Sequence, residues 1–224
     1  MNQLILGVDT THEFGSVALV RGGDVEDEIL LHSPEGFGQI LFGRLAQLLE
    51  RHGRNIADID CFAAASGPGS FTGVRIGLAC VKGLAAATGR PVVAVSNLAA
   101  MATFGAAPLR ATVLDARRGE VYGAVYDADG GIVMPETVMP FPKWLATLPA
   151  CEIEFVATDF EPFAPALAGT RFAQALVTTA PRAQAAAIAR IGEKELAAGR
   201  ARDPAAIDAN YVRRSDAELF WKEY

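Results

Sequence analysis

The chain has 224 residues, 51% of them hydrophobic, enough to bury a sizeable core in one large domain or two compact lobes, and too apolar for disorder. Its net charge of -6 argues against a phosphate-tracking surface, because nucleic-acid binders draw most of their affinity from clustered Lys and Arg. Cys61, Cys80 and Cys151 are odd in number, far apart and without Cys-x-x-Cys spacing, which points to buried thiols in the cytosol rather than a disulfide framework.

The N-terminus through Asp9 has no basic region and no cleavage pattern, so it reads as a first core strand and not as a secretory signal. Apolar stretches are interrupted at Asp9 and Lys82, short of the ~20 residues a bilayer span needs. A cytoplasmic location without membrane contact is expected.

Leu4 to Val8, Gly15 to Val20 and Val25 to Leu31 read as three strands joined by polar turns, the second turn being Gly22-Gly23-Asp24. The period then changes: Leu41, Leu45, Leu48 and His52 recur at helical spacing, predicting an amphipathic helix from about Gly38 to His52 with one face available to a core or a partner. Cys61 to Ser66 is a buried strand, Thr72 to Ala87 a helix of small residues, and Pro91 to Val95 another buried strand. Ser96 is placed to cap a helix through Thr103. The second half opens similarly, with Val113-Leu114-Asp115, a polar turn, Gly119 and an apolar run from Val121 to Tyr126. A repeat of roughly a hundred residues is too long for a solenoid and implies two related lobes. Gly130-Gly131 reads as a hairpin turn, and Pro181, after Thr178 and Thr179, opens a helix closed by Gly199. Tyr211 to Arg214 forms a short isolated segment.

The strongest local signal is Gly67-Pro68-Gly69-Ser70-Phe71-Thr72-Gly73, between a buried strand and a helix. Such a loop aims backbone N–H groups and the positive end of a helix dipole at one point, which suits a phosphate or another anion. It fails the named fingerprints, since a phosphate-binding Walker loop needs Gly and Lys where this chain has Thr72 and Gly73, and the dinucleotide pattern needs a glycine at Thr72. The alternative is a tight strand-to-helix turn capped by Ser70 or Thr72. Within the helix, Gly73, Gly77 and Ala79 or Cys80 to Gly83 leave a face with little side chain, interrupted by Arg75 and Lys82. Each interior glycine costs about 0.5–1 kcal/mol relative to alanine, which a close backbone approach would offset. That approach is made either by the protein's own sheet or by another subunit's helix.

Asp9-Thr10-Thr11 and Asp115-Ala116-Arg117 hold equivalent places in the two halves. In a phosphotransferase of this architecture such hairpins hold nucleotide phosphates and a metal-bound water; otherwise the aspartates bond their own turns. His12, His32 and His52 lack ligand spacing, so no metal site is assigned, and the absence of a Gly-x-Ser-x-Gly elbow leaves no catalytic residue to name.

The runs Ile5 to Thr11, Ser66 to Gly77, Val81 to Ala85, Val95 to Leu98 and Leu114 to Tyr122 closely resemble the TsaB (YeaZ-type) family in content, order and spacing, and Tyr211-Val212-Arg213 is similar to that family's C-terminal Tyr-Leu-Arg element. Asn210 stands in a context that usually contains proline, and Ser33 to Gly38 departs from the usual start of the first helix. The resemblance implies an α/β, actin-like ATPase (ASKHA) fold of two ribonuclease-H-like lobes, each a mixed sheet flanked by helices. The lobes would span 1–106 and 107–224, the 181–199 helix being a candidate to pack back on the first. It further implies an accessory, non-catalytic subunit needed for threonylcarbamoyladenosine formation on tRNAs that read codons beginning with A. Its partners would be the catalytic, metal-holding paralogue TsaD and the ATPase TsaE, with a homodimer when TsaD is absent and tRNA reached only through the complex. No cofactor is expected on the isolated chain, and ATP or ADP would sit at the complex interface. The expected partner surface is Leu41, Leu45, Leu48, Gly73, Arg75, Ile76, Gly77, Cys80 and Gly83, and the expected nucleotide or anion loop is Asp9, Thr10, Thr11, Gly67, Gly69, Ser70, Thr72, Asp115 and Arg117. The competing reading is an independent small-molecule kinase or ATPase of the same architecture.

Overall fold

A computed structural model describes residues 2–213; Arg214 and the remainder of the expected second lobe lie outside the described residues. Two compact units form, one from residues 2–100 with 181–209, the other from 101–180 with 210–213. The boundary thus precedes the expected 106/107 position. The connecting loop is held by the second unit, because Ala106 and Ala107 donate their N–H groups to the Glu154 carboxylate, each at 2.6 Å.

In the first unit, β1 (Leu4–Asp9), β2 (Phe14–Arg21) and β3 (Asp24–His32) form an antiparallel meander, and β4 (Cys61–Gly67) and β5 (Val92–Ser96) extend it in parallel, giving the order β3-β2-β1-β4-β5. Helices α1 (Leu41–Arg51) and α2 (Phe71–Thr88) cover one face. The expected helix start at Gly38 is instead a short 3-10 turn at Phe37–Gln39, and α1 follows from the Ile40 cap. Leu41, Leu45 and Leu48 of α1 join Leu4, Leu6, Val17 and Phe62 in one core cluster, together with Val74, Leu78 and Val81 of α2. By length and composition α2 is apolar enough to cross a membrane, but its apolar stripe is already occupied by the sheet, as in a core helix. A short helix, α3 (Asn97–Ala102), follows β5, with the Ser96 hydroxyl accepting from the amides of Leu98 (3.1 Å) and Ala99 (3.3 Å) as a cap.

The second unit repeats the pattern. Strands β6 (Leu109–Asp115), β7 (Glu120–Asp127) and β8 (Ile132–Pro140) form the meander, and β9 (Glu154–Ala157) and β10 (Val177–Thr179) add the parallel pair, in the order β10-β9-β6-β7-β8. Among the described residues one α-helix, α4 (Phe141–Thr147), covers the sheet. Where the first unit has α2, this one has an irregular run whose Phe160, Leu167 and Phe172 fill the core around Phe141, Trp144 and Phe155. Gly123 lets Trp144 lie flat on β7, since a Cβ there would meet the indole ring at 2.5 Å. Two mixed sheets of identical strand order, each with helical or aromatic cover, make the α/β, actin-like architecture.

The last helix, α5 (Ala185–Ala197), follows the second unit's strands in sequence yet packs on the free face of the first sheet. It starts four residues later than Pro181 predicts, because Thr178 and Thr179 are committed to β10 and cannot cap it. Its cap comes from the sheet: buried Ser16 accepts from the amides of Gln184 (3.0 Å) and Ala185 (2.8 Å), and Glu28 accepts from Ala186 (3.0 Å). Two glycines allow the close approach, since a Cβ at Gly7 would lie 2.2 Å from the Ala185 carbonyl oxygen and one at Gly192 would lie 2.7 Å from the Ala63 Cβ. Glu193 clasps the β2–β3 turn through the amides of Gly22 and Gly23, both at 2.7 Å. Ser16→Ala leaves two first-turn amides without an acceptor, and thermal unfolding should show a loss of about 1–2 kcal/mol, with faster hydrogen exchange confined to the start of α5.

Candidate functional site

The turn after β1 and the glycine-rich loop before α2 are brought together in the first unit. Asp9, Thr10 and Thr11 are all buried. Asp9 Oδ1 accepts from the Thr11 amide (2.9 Å) and the Thr11 hydroxyl (2.7 Å), the self-bonded turn that an Asp at a strand end favours. Thr11 Oγ1 in turn accepts from the side-chain amide of Asn97 at 2.7 Å, and Asn97 Oδ1 accepts from the Gly67 amide at 3.0 Å. On the other side, the Thr10 hydroxyl donates to the Gly73 carbonyl (2.7 Å), and the Ser70 amide donates to the Thr11 carbonyl (2.7 Å). Ser70 also caps α2 by accepting from the Gly73 amide at 3.2 Å, its backbone extended as a cap requires.

This network decides what the loop's polar groups do. The amides of Gly67, Ser70 and Gly73, which a phosphate cradle would aim outward, are bonded within the protein. The glycines have the same origin: a Cβ at Gly69 would lie 2.6 Å from the Thr11 carbonyl oxygen, one at Gly73 2.0 Å from that of Thr10, and one at Gly77 2.7 Å from the Thr10 hydroxyl. Their missing side chains admit the protein's own turn. Thr72, at the exposed start of α2, is not the cap.

The expected partner surface is corrected on the same grounds. Leu41, Leu45 and Leu48 are at most 3% exposed, and Gly73, Gly77 and Cys80 are likewise buried, so none presents a surface; Ile76 is half-buried against the core. Only Arg75 and Gly83 of that set face outward. The outer faces join these two with residues outside the expected set, among them Phe42, Gly43 and Ala46 on α1 and Phe71 and Ala79 on α2. Phe42 is 61% exposed and Phe71 47%, with the Arg75 guanidinium 3.5 Å above the Phe71 ring. A Cβ added at Gly43 or Gly83 would meet nothing within 4 Å. Asn97, the hub of the buried network, was marked in the sequence only as part of the Val95 to Leu98 run that carries the resemblance, with no role of its own, and Ser16 only as a small polar residue inside a strand.

Asp115 and Arg117 belong to the second unit. Asp115 Oδ1 accepts from the Arg117 amide (2.7 Å), and its other oxygen lies 3.5 Å from the Arg117 guanidinium, whose side chain is 87% exposed. Burial pushes the Cys61 thiol up to about 12, helped by the Asp60 charge, and burial alone does the same for Cys80, so neither supplies a thiolate nucleophile at neutral pH. No group of three or more His, Cys, Asp or Glu among the described residues is arranged to hold a metal ion.

A family model described as TsaD, tRNA N6-adenosine threonylcarbamoyltransferase, matches residues 37–207. The chain is 40% identical to the tRNA threonylcarbamoyladenosine biosynthesis protein TsaB of Escherichia coli over 130 residues, spanning 56% of this chain and 55% of that relative. It is 28% identical to the Bacillus subtilis protein of the same name, across 98% of both chains. A Pseudomonas aeruginosa crystal structure, described as an uncharacterized protein with similarity to peptidase YeaZ, superposes with a TM-score of 0.81 at 28% identity, covering 94% of this chain and 100% of that one. The component A of (R)-2-hydroxyglutaryl-CoA dehydratase from Acidaminococcus fermentans shares the fold alone, at a TM-score of 0.52 and 10% identity over 87% of this chain and 99% of that one.

Proposed function

The chain belongs to the TsaB (YeaZ-type) branch of the TsaD family, and we propose that within threonylcarbamoyladenosine biosynthesis on tRNA it acts as a non-catalytic accessory subunit. Its task is to bind and stabilise the catalytic TsaD paralogue through the outer faces of α1 and α2. One observation carries this reading: Gly43 and Gly83 sit inside helices where the protein's own packing makes no demand for glycine, with open space where a side chain would be. A glycine within a helix is destabilising relative to alanine, most of all at an interior position such as Gly83, and a backbone approaching from outside accounts for it there and for Gly43 in the first turn of α1. Exposed Phe42, next to Gly43, and exposed Phe71, at the start of α2, supply apolar anchors on the same two helices, the residue type enriched at the centres of protein interfaces.

The same surface would serve a homodimer when TsaD is absent. TsaE would join the assembly, tRNA would be reached only through it, and any ATP or ADP would be held at its subunit boundary, in the cytoplasm. The reading as an independent kinase or ATPase is weakened by the loop before α2, whose amides at Gly67, Ser70 and Gly73 are bonded internally.

Two measurements test the proposal. Titration of the isolated chain with ATP and magnesium should give no micromolar binding; a clear micromolar isotherm would favour the kinase reading. Phe42→Asp should leave thermal stability within about 0.5 kcal/mol, because the side chain is exposed. It should also weaken co-purification with TsaD by roughly tenfold or more. Undiminished co-purification would move the interface elsewhere.

A further inference from the structure

The turn between β6 and β7 has an unusual backbone. Arg117 (φ 64°), Arg118 (φ 56°) and Gly119 (φ 75°) are successive left-handed residues, a region in which only the glycine is at ease. Its own bonds run from the Ala116 amide to the Glu120 carbonyl (3.0 Å) and from the Glu120 amide to the Arg117 carbonyl (3.1 Å). A conformation of this kind persists only where its surroundings over-determine it.

The extra constraint comes from the end of the described chain. Arg213 Nη1 donates to the Ala116 carbonyl at 2.8 Å, while Nη2 pairs with the Glu120 carboxylate. One guanidinium therefore bridges the outgoing and returning stems of the turn, which a planar fork of donors can do and a point charge cannot. The side chain is only 21% exposed, with the Tyr122 ring 5.8 Å away. Three residues earlier the Asn210 side chain donates to Glu136 Oε2 at 2.6 Å, and Glu136 Oε1 is held by the Tyr126 hydroxyl at 2.9 Å. We propose that residues 210–213 form a strap that fixes the Arg117-Arg118 turn, with Arg213 as the positioning residue through which it acts. The backbone presentation of Arg117 then depends on whether the strap is docked. Any event that draws the C-terminal segment away is relayed to the turn.

Limited trypsin digestion of the full chain, read by mass spectrometry, tests this directly, because trypsin cuts after Arg117 and Arg118. Arg213→Ala should speed cleavage at these bonds about fivefold, since loss of a charge-assisted bond raises the open population. Cleavage after Arg200, exposed on the first unit, should not change. An unchanged rate at the turn, or an equal rise at Arg200, would overturn the strap. Should Arg213→Ala fail to fold, Asn210→Ala loosens the other end of the strap, with about twofold faster cleavage at the turn expected. No change there would rule the strap out.

Discussion

Gly73→Ala should destabilise the first unit by about 3 kcal/mol, lowering the midpoint of thermal unfolding by roughly 10 °C. The added methyl carbon would stand 2.0 Å from the Thr10 carbonyl oxygen, 3.1 Å from its carbonyl carbon and 3.3 Å from the Ser70 Cβ. The first two are backbone atoms, so no rotamer change relieves the clash. Thr10 cannot retreat without breaking its 2.7 Å bond to the Gly73 carbonyl, nor Thr11 without losing its tie to Ser70. Either the turn lifts off the helix or the first turn of α2 unwinds, and each route opens the buried network around Asp9 and Asn97. Gly83→Ala, ten residues along the same helix, is the control. Its Cβ meets open space, so alanine should be neutral or stabilising by about 0.5–1 kcal/mol. Calorimetry on the two variants compares a glycine required by the fold with one that is not. Equal behaviour would mean that the turn is not seated on the helix as described.

The second large effect is expected at Glu154, a buried carboxylate on β9. It accepts from the amides of Ala106 and Ala107 and from the Thr178 hydroxyl at 2.5 Å. Burial on its own would push this carboxyl up, but the Ala107 amide, the Thr178 hydroxyl, the Ala106 amide and the Arg110 charge together hold it below the ordinary glutamate range. Glu154→Ala leaves these donors facing an apolar void, and a loss of about 3–4 kcal/mol in the second unit is expected by denaturant unfolding. The pH dependence has a definite sign. Because the folded-state pKa is depressed, the contribution is fully present above the ordinary glutamate range and is lost as pH falls through the folded value. Glu154→Gln cannot ionise, so the stability gap between wild type and this variant should narrow on acidification. A gap that widens as pH falls would contradict the assignment.

Much of the fold was legible because it rests on local signals. Apolar runs closed by Asp9 and Asp115, glycine turns at Gly22-Gly23 and Gly130-Gly131, and the Ser70 and Ser96 caps mark strands and helices through chemistry acting over a few residues. The duplication was visible for the same reason, since both meanders open with an apolar strand ending in aspartate. Direction was harder to read. Periodicity shows that Leu41, Leu45 and Leu48 share a face of α1, and that Gly73 and Gly77 leave a smooth stripe on α2, but not whether that face meets the protein's own sheet. The deciding contact, Thr10 against Gly73, joins residues 63 positions apart. The irregular aromatic cover of the second sheet was illegible for a related reason: Phe160 and Leu167 stand seven apart as on a helix and Phe172 five further on, yet no α-helix forms there, and the core they fill fixes their arrangement. Ser16 could not be recognised as a cap because the helix it serves begins 169 residues later.

That separation bears on how the chain is born. Emerging from the ribosome, the first sheet has the means to roof only one side, with α1 and α2; the strip around Ile5, Gly7 and Ala63 waits for the α5 backbone that fits its contours. Every strand of the second unit must be synthesised before that lid exists. The first sheet therefore keeps a bare oily flank while residues 97–184 are being made, and its maturation is clocked by the arrival of α5.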